Sequence, residues 1–326
     1  MNLKHESRAF AAASTTRSVL ELFLTLSGYA LSVAGLYVAY TQSWWALYPV
    51  ACILASLFMV KVFTLFHDCT HGSMFKSDAA NRWTGRLLSL VLTMPFYSWK
   101  AEHDDHHSHV VDMERIKHGD ITLLTVAQYR ALPKWRQLGY RIFRHPVFFL
   151  LAAPFLYFFV KSRIPAIYTK KVIWSVMLTN VFVALIYLPL LWFFGFWTMV
   201  FVFAPAAYLG GMLGVLLFYL QHDYPGAEWF ETNQWEHEKA SLAGSSLIIL
   251  PAPLEWFSHA IGYHHIHHLN SKIPGYRLRE CFKTVPEFQE AKPLTWADVV
   301  EAFRLKLWSF EKGRLVTFVE VGGVGR

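Results

Sequence analysis

The chain has 326 residues, of which 54% are hydrophobic, 17% aromatic and only 16% charged, and its formal net charge is +7. An ordinary soluble domain carries roughly 25% charged residues, so the composition excludes a typical soluble globule and points to the membrane. No basic low-complexity arm accompanies the positive charge, so the reading is basic residues at a membrane surface and no nucleic-acid partner.

In chain order, the first segment carries Lys4, Arg8 and Arg17 but no compact apolar core, so a cleaved signal peptide is not expected. From Leu22 to Val60 there is no Asp, Glu, Lys or Arg. A membrane-spanning helix needs about 20 apolar residues, so this stretch is long enough to cross twice. Thr41-Gln42-Ser43-Trp44-Trp45 marks the break, giving expected spans over 18–40 and 46–66. A first histidine cluster, HDCTH at 67–71, follows, with Cys69 inside it. Cys52, Cys69 and Cys281 are odd in number and far apart, which gives no disulfide framework.

The run Leu87–Tyr97 is apolar but too short to span, which suits an interfacial or re-entrant segment. HDDHH at 103–107 is the second cluster, and Val147–Val160 is a second short apolar run. Val172 to His222 is again free of charged residues, and a break at Phe194-Gly195-Phe196-Trp197 divides it into expected spans over 173–194 and 198–220. HHIHH at 264–268 is the third cluster. The basic residues sort with these elements. Lys61, Lys76 and Arg82 follow the first hairpin, Arg141, Arg144, Lys161, Arg163, Lys170 and Lys171 precede the second, and both turns lack Lys and Arg. The positive-inside rule then puts both termini and every histidine cluster in the cytoplasm. The expected fold is an all-α integral membrane protein with four transmembrane helices in two hairpins, interfacial helices and a cytoplasmic histidine-rich helical cap.

His67 and His71 are four residues apart, while His103/His106/His107 and His264/His267/His268 are spaced i, i+3, i+4. Helical residues so spaced share a face, with Cβ atoms about 5–6 Å apart. Neutral imidazole suits zinc, copper, iron and nickel alike. Eight histidines exceed the four ligands of a structural zinc site and fit two metal ions in one cage. Carboxylates are scarce at ligand spacing, unlike the Glu-x-x-His helices of soluble di-iron bundles. His5, His118, His145, His237 and His259 stand alone and read as ordinary core or surface residues. His265 lies off the shared face and reads as a spacer, and His109 as a supporting or surface residue. Asp68, Asp104, Asp105 and Asp120 could accept the second ring N–H of a ligand histidine, although solvated surface roles suit Asp104 and Asp105 equally well. A membrane haem protein or metal transporter would place its ligands singly on the spans or near the bilayer midplane, where this chain has almost none.

The motifs HDCTHGSMF, HDDHH and GYHHIHHLNSKIPGYRL resemble the three histidine boxes of the membrane fatty acid desaturases. GDITLLTVAQY and YRIFRHP within 119–146, and FYLQHDYPGAEWF at 218–230, resemble the bacterial acyl-lipid, omega-6 (delta-12)-like branch. The resemblance covers roughly residues 40–285 and implies a single desaturase domain over 1–326. It carries His67, His71, His103, His106, His107, His264, His267 and His268 over as iron ligands, and His222 as a ninth. It further implies two iron ions, dioxygen as co-substrate, a lipid-linked fatty acyl chain gaining a cis double bond, and two external electrons. With no cytochrome b5-like segment fused, a separate donor such as ferredoxin or a cytochrome b5-like protein is implied, as is a bacterial inner membrane. Thr70 departs from the glycine many members carry, and His109 with Val110-Val111 from small or hydroxyl residues. A hydroxylase or carotenoid oxygenase on the same scaffold is the alternative that the boxes leave open.

Overall fold

The computed structural model describes residues 3–115 and 118–322. The principal helices are α1 (Thr15–Thr41), α2 (Tyr48–His71), α3 (Asp78–Val91), α4 (Phe96–Ser108), α5 (Lys134–Phe143), α6 (Phe148–Arg163), α7 (Lys170–Phe194), α8 (Phe196–His222), α9 (His237–Ala243), α10 (Ala252–Phe257), α11 (His264–Leu269) and α12 (Gly275–Thr284). Of these, α1, α2, α7 and α8 are long and apolar enough to cross a membrane. Local chemistry sets their ends. The Ser14 hydroxyl caps α1 by accepting the Arg17 N–H, and Gly72, at φ 68°, supplies the left-handed residue that closes α2.

The central span is α2, which packs against α1 on one side and α8 on the other and is the most buried of the four. Gly210 permits the close approach of α8, because a Cβ there would lie 2.9 Å from Met59 Cβ. Helix α7 meets α8 around the Gly195 turn and otherwise packs on α4 and α3. Elsewhere a gap is left between α7 and α8. The run Leu87–Tyr97 is divided between the end of α3, a turn and the start of α4, while Val147–Val160 falls mostly in α6, bent by 66° against α5.

Two expectations are corrected. The fold is not purely helical, because β1 (Leu124–Thr125) pairs in parallel with β2 (Leu307–Ser309), and β2 pairs antiparallel with β3 (Arg314–Val316). Strands of two or three residues are too short to leave an alternating pattern in the sequence. The sheet ties the 119–146 segment to the C-terminal region, with Leu307 and Val316 packed on Tyr129 and Tyr140. In addition, Lys61 does not flank the first hairpin. It lies inside α2 and is 1% exposed.

A buried ion pair joins the α5–α6 junction to the end of α8: Arg144 Nη2 lies 2.8 Å from Asp223 Oδ1, and Nη1 lies 3.4 Å from Oδ2. Both side chains are essentially inaccessible. Removing one partner of such a pair strands the other charge, at about 3–5 kcal/mol. Arg144→Met is expected to lower the thermal midpoint of the purified protein accordingly, and Arg144→Met with Asp223→Leu to recover part of the loss. A midpoint unchanged in the single variant would contradict this role.

Candidate metal centre

The C-terminal ends of α2 and α8 meet α4 and α11 at one end of the bundle, and nine buried or half-buried histidines converge there. Their ring nitrogens fall into two groups. His67, His71, His103, His107 and His267 form the first, and His106, His222, His264 and His268 the second, with the ligand atoms of each group all within 4.8 Å of one another. In the first, Nε2 atoms lie 3.0 Å apart between His103 and His71, and 3.1 Å apart between His107 and His103 and between His267 and His107. In the second, the separations are 3.2 Å for His106 and His268, and 3.0 Å for both His264–His222 and His268–His264. Two nitrogens sharing an ion at about 2.1 Å, at angles of about 90–109°, are about 3.0–3.4 Å apart, so the spacing fits metal coordination. The groups abut where the His107 and His268 rings stack, 4.1 Å between centroids.

The clusters do not map one-to-one onto the groups. Each i, i+4 pair stays together: His67/His71, His103/His107 and His264/His268. The odd member of each three-histidine cluster crosses over, so His106 joins the His264/His268 pair and His267 joins the His103/His107 pair.

Burial, reinforced by the neighbouring imidazoles, holds His103, His107, His264, His267 and His268 well below the ordinary imidazole pKa. They are therefore neutral at pH 7, the form that binds metal. The outward nitrogens show how the rings are oriented. His222 Nδ1 donates to the Gly244 carbonyl at 3.0 Å, which leaves its Nε2 lone pair facing the group. His106 Nδ1 lies 3.5 Å from Asp120 Oδ2, and His67 Nδ1 lies 3.7 Å from Asp68 Oδ1. Burial pushes the Asp120 carboxyl up, but the nearby His106, His222 and the Ile121 N–H together outweigh this and bring it below the usual carboxylate range. Carboxylates behind metal-binding histidines act in this way.

The other candidates lie outside both groups. His265 is buried against Phe282 and Phe288, and burial lowers its pKa to about 4. His109 is paired with Asp105 at 3.0 Å near the surface, and Asp104 pairs with Lys100 at 2.9 Å. His145 is exposed and His237 half-buried. His259, read from sequence as an ordinary histidine, is 3% exposed and contacts Asp68 at 3.2 Å. Lys61, set inside an otherwise charge-free span, was the signal for that buried network.

A cavity of about 790 Å³ opens beside the histidines. It fills the gap between α7 and α8, with α2 and α6 as further walls, and His67, His103 and His264 line it. Along α8 its wall runs from Met199 to Gln221, roughly 33 Å at 1.5 Å per residue. Most of the lining is apolar, with Phe63, Phe149, Phe203 and Val215 among the side chains.

Four membrane-length helices and two groups of imidazoles able to hold metal ions define a membrane protein with a candidate metal centre. The comparisons place it more narrowly. Residues 43–299 match the family model described as fatty acid desaturase. A fatty acid desaturase of Bacillus subtilis is 28% identical over 323 residues, covering 97% of this chain and 90% of the relative. An sn-1 oleoyl-lipid 12-desaturase of Anabaena variabilis is 26% identical, covering 82% of this chain and 75% of its own. An sn-1 acyl-lipid omega-3 desaturase (ferredoxin) of Synechocystis is 24% identical, covering 91% and 82%. The chain belongs to the fatty acid desaturase family. It is a membrane oxidoreductase acting on fatty acyl chains.

The lowered imidazole pKa values set a sign for pH dependence. Histidines that are neutral when folded bind fewer protons than they do unfolded, so their contribution to stability is present above about pH 6.5 and lost as pH falls below it. The metal-stripped protein should melt progressively lower between pH 6.5 and 5 in a thermal titration. A midpoint flat over that range would show that these rings are not held neutral.

Proposed function

We propose that the chain is an acyl-lipid desaturase that places a cis double bond in a lipid-linked fatty acyl chain, with His67, His71, His103, His107 and His267 holding one iron ion and His106, His222, His264 and His268 the other. The observation that carries this reading is the cavity. It is apolar, long enough to take an acyl chain, and walled at one end by imidazoles of both groups. Iron suits an all-imidazole donor set, and the nine rings with converging nitrogens fit it. Bound there, two iron ions would supply the dioxygen activation and hydrogen removal that no side-chain acid or base can perform.

The chain's own residues then contribute position. The apolar walls exclude water and hold one C–C bond of the substrate at a fixed distance from the histidines. The Lys161–Glu102 pair, 2.7 Å apart, fastens α6 to α4 next to His103. Two hydrogens from the acyl chain, with two electrons and two protons from outside, reduce one dioxygen to two waters. The donor is a separate one-electron carrier, ferredoxin or a cytochrome b5-like protein. The ferredoxin in the printed name of the Synechocystis relative supports this, as does a formal net charge of +7, which suits an acidic carrier. Residues 1–326 act as one desaturase unit. Its spans form two hairpins in a bacterial inner membrane, with both termini and the histidine cap in the cytoplasm.

Expression with a competent donor in a host of simple lipid profile, followed by double-bond mapping, should reveal a new unsaturated acyl chain on lipid. An unchanged profile with verified iron loading would count against desaturation. His222→Ala should lower bound iron and abolish product, because the smaller group has only four imidazoles. Full activity in that variant would remove His222 from the ligand set.

A further inference from the structure

Behind the first imidazole group lies a chain of buried polar residues that no step above uses. It begins inside the membrane. Lys61, in the body of α2, forms an ion pair of 3.0 Å with Glu21 of α1, and Glu21 is also paired with Arg17 at 3.3 Å. The Lys61 ammonium donates to the Trp256 carbonyl at 2.7 Å and lies 2.8 Å from His259 Nδ1. An ammonium can only donate, so Nδ1 is the acceptor and His259 carries its proton on Nε2. That Nε2 lies 3.2 Å from Asp68 Oδ2, which also accepts the Gly275 N–H at 2.8 Å. Asp68 Oδ1 remains, 3.7 Å from His67 Nδ1, and this buried ring nitrogen has no hydrogen-bond partner among the described residues.

Three features suggest that the arrangement is built for more than packing. A lysine 1% exposed inside a span is costly, and an ionisable residue so placed marks function by default. His259 occupies the left-handed region at φ 53°, a strained conformation for a non-glycine residue that its surroundings must enforce. At Gly275 a Cβ would overlap the His259 ring and carbonyl, so the glycine is what lets its N–H reach Asp68.

We infer that Lys61 and His259 are positioning residues for His67: Lys61 fixes the His259 tautomer, His259 and Gly275 hold one oxygen of Asp68, and the other oxygen orients the His67 ring toward its metal ion. In the second group Asp120 Oδ2 lies 3.5 Å from His106 Nδ1 while Asp120 Oδ1 accepts the Ile121 N–H at 2.7 Å, so that carboxylate is held by a neighbouring backbone group rather than by a histidine and a lysine. The two metal positions are therefore supported unequally, and a disturbance of the Lys61–His259 chain falls on one of them. This inference rests on the iron-binding reading above.

The test uses the purified holoenzyme and follows iron release to a chelator, together with the Mössbauer spectrum of the bound iron. His259→Leu should release iron about 10-fold faster, the lower end for losing an outer partner of a metal ligand, and should alter the signal of one ion while leaving KM for the acyl substrate unchanged. His259→Gln keeps an N–H where Nε2 lies and should return release to within about twofold of wild type. Leu and Gln carry the same backbone strain, so their difference isolates the donor. Lys61→Met, which removes the charge, should fall between them. Folded His259→Leu with wild-type release and spectrum overturns the inference. If that variant does not fold, wild-type release from Lys61→Met overturns it instead. Wild-type protein that holds no iron overturns the iron-binding reading, and this inference with it.

Discussion

Nine imidazoles facing one another in a water-poor pocket are the constraint on which the rest of the structure depends. Nitrogens 3.0–3.2 Å apart across the groups cannot all be satisfied by one another, since a neutral ring has one donor and one acceptor. In a low-dielectric interior, lone pairs turned toward each other repel, and protonated rings would repel far more. Such a cluster is held open by the framework around it. Here that framework is the packing of α2 between α1 and α8, the Arg144–Asp223 pair beside His222, and the short sheet that clamps the 119–146 segment. Each of these joins parts of the chain distant in sequence.

The same framework explains the cavity. A pair of antiparallel helices packed along its full length would leave no room between them. Helix α7 instead leaves α8 after the Gly195 turn and leans on α3 and α4. The space this opens is bounded by the helix that carries the second cluster and by the two spans that end in His71 and His222. The groove and the histidines are thus consequences of one packing choice.

Much of this was legible in the sequence. Charge-free stretches marked the four apolar helices, and i, i+3, i+4 spacing marked the three clusters, because helical periodicity is a local property. The features that escaped detection are those that depend on distant partners. Strands of two or three residues carry no period. A lone His259 looks ordinary until Lys61 and Asp68 are seen on either side of it, contributed by residues some 190 positions away in sequence. The division of the nine histidines escaped for a subtler reason. On a helix, i and i+3 project about 60° apart on the far side from i+4, so neighbours in one box can serve different centres once another helix approaches between them.

That division has a consequence for assembly. His106 and His267 are exchanged between the second and third clusters, so neither group can be completed by one helix and its nearest sequence neighbours. Helices α4 and α11 are interlocked like linked hands, and separating them dismantles both groups at once. A chain that has gathered the histidines of one group has already arranged those of the other. Neither group therefore exists before the tertiary fold is in place.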